Sequence, residues 1–68
     1  MNVQINGQHH SLVVGTTVLM IVAKFCGSEN ASGVAVAVNQ IVIPRHQWKT
    51  SEIQNSDQIE VLWASSGG

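Results

Sequence analysis

The opening run Met1-Asn2-Val3-Gln4-Ile5-Asn6-Gly7-Gln8-His9-His10-Ser11-Leu12-Val13-Val14 decides how the rest of the chain is read. Met1 to Ile5 alternates, with Val3 and Ile5 on one face, as a half-buried strand does. Asn6-Gly7 follows at once. A two-residue hairpin turn needs positive φ at both central positions, which Asn and Gly tolerate best, so this dipeptide between two extended runs predicts a β-hairpin. Gln8 to Val14 is then the returning strand, and Gly15 breaks it.

Beyond Gly15 the pattern changes. Thr16 or Thr17 is placed to cap a helix by accepting an N–H of its open first turn. Val18 to Cys26 would make about two and a half turns, with Gly27 at the position of a left-handed C-terminal cap. This run is rich in β-branched residues and suits a strand by local propensity; the flanking Thr and Gly favour a helix. Ser28 to Gly33 is a polar loop, and Val34-Ala35-Val36-Ala37-Val38 alternates large and small as a strand whose two faces meet different neighbours. Asn39-Gln40 turns the chain. Ile41 to Ile43 is a short strand stopped by Pro44, which suits an edge. Arg45 to Ser51 is irregular or briefly helical, Asn55-Ser56-Asp57 is a second turn, and Gln58 to Ala64 is the last strand.

The order is hairpin, helix, strand, short strand, strand. One helix must then cover one face of a mixed sheet, with the first and last strands adjacent and central. That is an α+β fold of the β-grasp, or ubiquitin-like, kind, with four to five strands. The domain occupies residues 1–64, and residues 65–68, Ser65-Ser66-Gly67-Gly68, form a flexible tail.

The chain has 68 residues, room for one domain with one small core. Only 10% of residues are charged and the balance is −1, with Lys24, Arg45 and Lys49 as scattered cations. No basic patch results, which argues against nucleic acid as a partner. So few solvated side chains on so small a domain point to exposed neutral surface and a protein-binding role. The longest apolar stretch, Val18 to Ala23, is far too short to span a membrane. No basic region and apolar run mark a secretory signal, and the single Cys26 cannot form an internal disulfide. A reducing, cytoplasmic setting is expected.

The closing Gly67-Gly68 offers a carboxylate that no side chain crowds, able to pass along a narrow channel into another enzyme's nucleotide site. Fully extended, the residues from Ser65 on carry it roughly 13 Å from the folded body. On its own, such a tail suits a frayed terminus equally well.

The run Val38-Asn39-Gln40-Ile41-Val42-Ile43-Pro44-Arg45-His46-Gln47-Trp48 resembles the middle segment of the ThiS family, the sulfur carriers of thiamine biosynthesis. Gly15-Thr16-Thr17-Val18, Asp57-Gln58-Ile59 and Gly67-Gly68 match the same family in order and spacing, so the resemblance covers the whole chain. It implies that Gly68 is adenylated by a ubiquitin-activating-type enzyme using ATP, converted to a thiocarboxylate by a sulfur donor system, and consumed by thiazole synthase. Gly67 and Ser66 would thread the channel. The chain would be a co-substrate, not an enzyme, with no permanently bound cofactor. One departure is Ser65-Ser66, where family tails often carry an apolar residue before the glycines.

The docking face follows from strand alternation. Glu60 is costly to bury unpaired, so its face, with Leu62 and Ala64, is set away from the helix, opposite Ile59 and Val61. Val36 and Val38 belong inward, leaving Ala35 and Ala37 outward. Leu62, Ala64, Ala35 and Ala37 would form a smooth apolar patch at the root of the tail, with Trp63 close enough to touch a partner. Trp48 and Trp63 are otherwise read as packing residues. His9 and His10 point to opposite faces and His46 is distant, which disfavours a metal site. Cys26 is read as a packed core residue rather than a reactive thiol. Arg45 suits a solvated role or an acidic partner equally. No paired carboxylates or nucleophilic set is present. Two rival functions remain: another thiocarboxylate carrier, such as the molybdopterin synthase small subunit or a carrier for cysteine or tRNA thiolation, and a ubiquitin-like interaction module without sulfur chemistry.

Overall fold

Asn6 and Gly7 both take positive φ, 52° and 80°, and so close the hairpin that the Asn-Gly pair predicts. It joins β1 (Asn2–Ile5) to β2 (Gln8–Ser11) in antiparallel register, with Ile5 opposite Gln8. The computed structural model describes residues 1–27 and 33–63. Beyond the hairpin come helix α1 (Val18–Cys26), β3 (Val34–Val38), β4 (Ile41–Ile43), a single 3-10 turn at Arg45–Gln47, and β5 (Gln58–Trp63). The five strands form one sheet in the order β2-β1-β5-β3-β4. β1 and β5 pair in parallel and lie side by side in its interior, while the other pairings are antiparallel. This is the expected β-grasp.

The returning strand ends sooner than its sequence suggests. Beyond the Asn2–Ser11 pair, Leu12 N–H still donates to the Met1 carbonyl at 2.8 Å. Val13 and Val14 lie beyond β2 and are 76% and 84% exposed. The Val13 carbonyl instead accepts from the Thr16 hydroxyl and N–H. That leaves Thr17 as the helix cap, its hydroxyl accepting from Met20 N–H at 3.3 Å.

A nine-residue helix, three of whose residues (Val18, Ile21 and Val22) are β-branched, has little intrinsic stability. Tertiary bonds supply what propensity does not. Of the donors left open at its start, Val18 N–H reaches the Ser51 carbonyl and Leu19 N–H the Trp48 carbonyl, at 2.9 and 3.0 Å. At the other end Gly27, with φ of 75°, bonds back to the Ala23 carbonyl. Val18, Ile21 and Val22 are buried by α1 against Val3, Ile5, Val34, Val36, Ile59 and Val61 of the sheet.

Trp48 closes this core from below. It is 2% exposed, and its indole N–H donates to the Ile43 carbonyl at 2.9 Å. The Arg45 guanidinium lies 4.6 Å from the centroid of its ring, within cation–π range. Pro44-Arg45 therefore turns the chain off β4 so that the indole can enter beneath α1.

Trp48→Ala is expected to cost about 3–5 kcal/mol, a large part of the roughly 3–10 kcal/mol available to a chain of this length. Trp48→Phe, which keeps most of the volume and loses the bond to Ile43, should cost less than half of that. Denaturant midpoints of the two variants measure the difference.

Candidate functional site

The site the sequence points to is the end of β5, the strand that immediately precedes residues 64–68. Two networks hold β5. At its start, Asp57 is buried and its carboxylate accepts from Gln54 N–H at 2.7 Å and from the Asn39 side-chain amide at 2.9 Å. Asn39, in the positive-φ turn between β3 and β4, also accepts from Gln58 N–H and donates its own N–H to the Gln58 carbonyl. The turn that reverses β3 thus also fixes where β5 begins.

Further along, β5 is paired on both sides. β3 accompanies it to the last described position, Val34 opposite Trp63. β1 pairs through Gln4–Gln58 and Ile5–Ile59, then turns away at Asn6. There the Asn6 side chain takes over, accepting from Val61 N–H at 2.8 Å and donating to the Val61 carbonyl at 3.3 Å.

The two faces of β5 separate as expected. Ile59 and Val61 are 1% exposed, while Glu60 and Leu62 are on the exposed side. Leu62 lies opposite Ala35 and Glu60 opposite Ala37. β4 adds a residue the sequence reading did not include: Val42 pairs with Ala37 and is 67% exposed. The alternation of Ile41-Val42-Ile43 carried that signal, but a strand of three residues gave no basis for deciding which face Val42 takes. Leu62, Ala35, Ala37 and Val42 therefore form an apolar area on the β5-β3-β4 half of the outer face, with Glu60 beside it. Gln4, Gln58, Asn2, His9 and Ser11 make the other half polar, around a depression of about 190 Å³.

Trp63 departs from its reading as a packing residue. It is 54% exposed, because at the end of β5 it has passed the edge of the core. By alternation it shares the face of Ile59 and Val61, so it stands on the opposite side of the strand from Leu62. Ala64, Ser66, Gly67 and Gly68, and with them the tail, lie outside the described residues.

The remaining candidates are dispersed. His10 lies edge-on to Phe25, with ring centroids 5.5 Å apart on the helix side, whereas His9 lies on the outer face. Among the described residues no three His, Cys, Asp or Glu side chains come together to hold a metal ion. Cys26 is partly buried and packs against the core. No helix among the described residues is long and apolar enough to cross a membrane.

A sequence model of the ThiS family matches residues 3–68. The chain belongs to the ThiS family. It is 31% identical to the sulfur carrier protein ThiS of Escherichia coli (strain K12), over the full length of both chains. The crystal structure of the thiamine biosynthesis protein ThiS from Geobacter metallireducens is similar, with a TM-score of 0.73 and 27% identity, each chain covered completely. A solution structure of a thiamine biosynthesis protein from the same organism shares the fold at a TM-score of 0.75 and 23% identity, over all of this chain and 88% of that one.

The two faces of β5 predict opposite responses to the same substitution. Leu62→Glu should move unfolding stability by no more than about 0.5 kcal/mol, as exposed positions do. Val61→Glu, one residue away, should prevent cooperative folding because it buries an unpaired carboxylate. Circular dichroism during urea titration distinguishes them.

Proposed function

We propose that the chain is a sulfur carrier of thiamine biosynthesis and that Gly68 carries the sulfur as a terminal thiocarboxylate. The observation behind this reading is the family match, which runs to residue 68 and so includes Gly67 and Gly68 with the strand that leads to them. A carboxylate is a poor acyl donor. Attack of a Gly68 carboxylate oxygen on the α-phosphorus of ATP expels pyrophosphate and leaves an acyl-adenylate. Sulfide sulfur then adds at the acyl carbon, AMP departs, and a thiocarboxylate remains. The ATP belongs to a ubiquitin-activating-type adenylating enzyme; a sulfur donor system supplies the sulfur and thiazole synthase consumes it, all in the cytoplasm. Tethering the acyl-sulfur to a folded body keeps it from diffusing away between sites.

In this reading the ThiS-family chain is a co-substrate, and its rigid sheet is the handle that partners grip. Leu62, Ala35 and Ala37, joined by Val42, are the docking area, with Ala64 and Trp63 at the root of the tail and Ser66 and Gly67 in the channel. The outer face suits this role because its residues add little to the core and so are free to serve a partner.

Intact mass spectrometry tests the central step. Incubation with ATP, the adenylating enzyme and sulfide should raise the mass by the exchange of one oxygen for sulfur, located by fragmentation at Gly68. Removing Gly68 should abolish the change. An unchanged mass, with the enzyme active on another carrier, would favour an interaction module without sulfur chemistry. Leu62→Glu should raise the KM for the carrier by about tenfold or more, since an unpaired carboxylate forced into an apolar contact costs several kcal/mol. An unchanged KM would remove Leu62 from the docking area.

A further inference from the structure

Asn6 has more to do than its place in the hairpin requires. The turn needs positive φ at residues 6 and 7, and Asn, Asp or Gly would supply it. The side chain of Asn6, however, reaches away from β2 to Val61, 55 residues later. Along the edge of β5 that faces β1, the Asp57 carbonyl accepts from Gln4 N–H at 3.0 Å and the Ile59 carbonyl from Asn6 N–H at 2.9 Å. The next residue in this series is Val61. Its N–H donates to Asn6 Oδ1 and its carbonyl accepts from Asn6 Nδ2. The carboxamide thus imitates one more peptide unit of β1 and lengthens the parallel ladder beyond the point where the backbone has left it. Of the residues suited to the turn, only Asn offers both a donor and an acceptor there.

Val61 is seven residues before Gly68. On its other edge β5 is held by β3, with Val36 opposite Val61 and Val34 opposite Trp63. Without the Asn6 side chain, the end of β5 would be secured on one edge alone. Seven residues drawn out along a channel span about 23 Å, so a tilt of about 10° at Val61 would displace the carboxylate by roughly 4 Å. A misplacement of that size is large beside the tolerance of a reacting carboxylate.

We propose that Asn6 is a positioning residue: it holds the end of β5 so that the tail leaves the body in the direction the activating enzyme requires. The inference rests on the reading of Gly68 as the group activated. It concerns delivery more than docking: Leu62, one residue past the pivot and still opposite Ala35, would shift by only about 0.6 Å for the same tilt, and Ala35, Ala37 and Val42 lie on other strands.

The test compares the parent chain with Asn6→Gly and Asn6→Asp. Gly preserves the turn and removes both bonds; Asp preserves the acceptor for Val61 N–H and loses the donor. Amide exchange by NMR should be about tenfold faster at Val61 in Asn6→Gly, with slow exchange retained at Val36. In steady-state adenylation by the organism's own activating enzyme, Asn6→Gly should lower kcat by about tenfold and leave the KM for the carrier within about twofold. Asn6→Asp should fall between the two. An unchanged kcat, or a fall in kcat with unaltered Val61 exchange, would overturn the proposal. A loss that tracks only the fraction of unfolded chain would overturn it as well. If an enzyme active on another carrier never adenylates the parent chain, the Gly68 reading fails and the delivery role with it. Val61 exchange would then still report whether Asn6 secures the strand.

Discussion

The parallel pairing of β1 with β5 joins the two ends of the sequence in the interior of the sheet. Everything between them must be laid out so that Gln4 meets Gln58 and Ile5 meets Ile59. A slip of one residue would turn Ile59 and Val61 outward and bring Glu60 into the core. Side chains outside the ladder guard against that slip. Asn55 accepts from Asn2 N–H at 2.9 Å, Asp57 and Asn39 fix the first residue of β5, and Asn6 secures Val61. Register here is set as much by polar side chains at strand ends as by the hydrophobic pattern.

The helix depends on the same arrangement. Its first donors are satisfied by carbonyls of Trp48 and Ser51, and Ile53 N–H bonds to the Thr16 carbonyl at 2.8 Å. The segment from Arg45 to Ile53 is irregular because it bonds to the start of the helix instead of to a strand. Trp48 and Ile53, both 2% exposed, bring apolar volume to the part of the core that the sheet does not cover. Among the described residues it is this loop that caps the start of the helix.

Much of this was legible in the residues. Asn6-Gly7, Thr17 and Gly27 set the hairpin and both helix ends, and alternation placed Ile59 and Val61 inward with Leu62 outward. Where the reading failed, the missing information was long-range. Val13 and Val14 have strand-like character, but the turn into the helix claims the Val13 carbonyl for Thr16. Trp63 has a core-like side chain, but its strand outlasts the core beneath it. Val42 could not be assigned to a face until its register with Ala37 was known. Asn6 concealed a second role because the turn accounted for it completely; nothing local to the hairpin indicates a bond to Val61. The tail, to which the proposed chemistry is assigned through its glycines and the family resemblance, lies outside the described residues.

β5 reconciles two demands that compete in a small domain. In the proposed role the chain needs a body stable enough to be gripped and an end free enough to enter another protein. Up to Val61 the strand is committed to the body, with Ile59 and Val61 buried and both edges bonded. Beyond it, Leu62 and Trp63 expose more than half of their surface on opposite faces, and only β3 still accompanies the backbone. The change occurs within two residues, where Asn6 makes its bonds. Fastening the strand earlier would leave a long, poorly directed tether and raise the entropic cost of placing its end. Fastening it later would tie the tail to the sheet and shorten its reach. Closing the ladder with a side chain, after the backbone of β1 has turned away, sets that boundary without adding a residue to either strand.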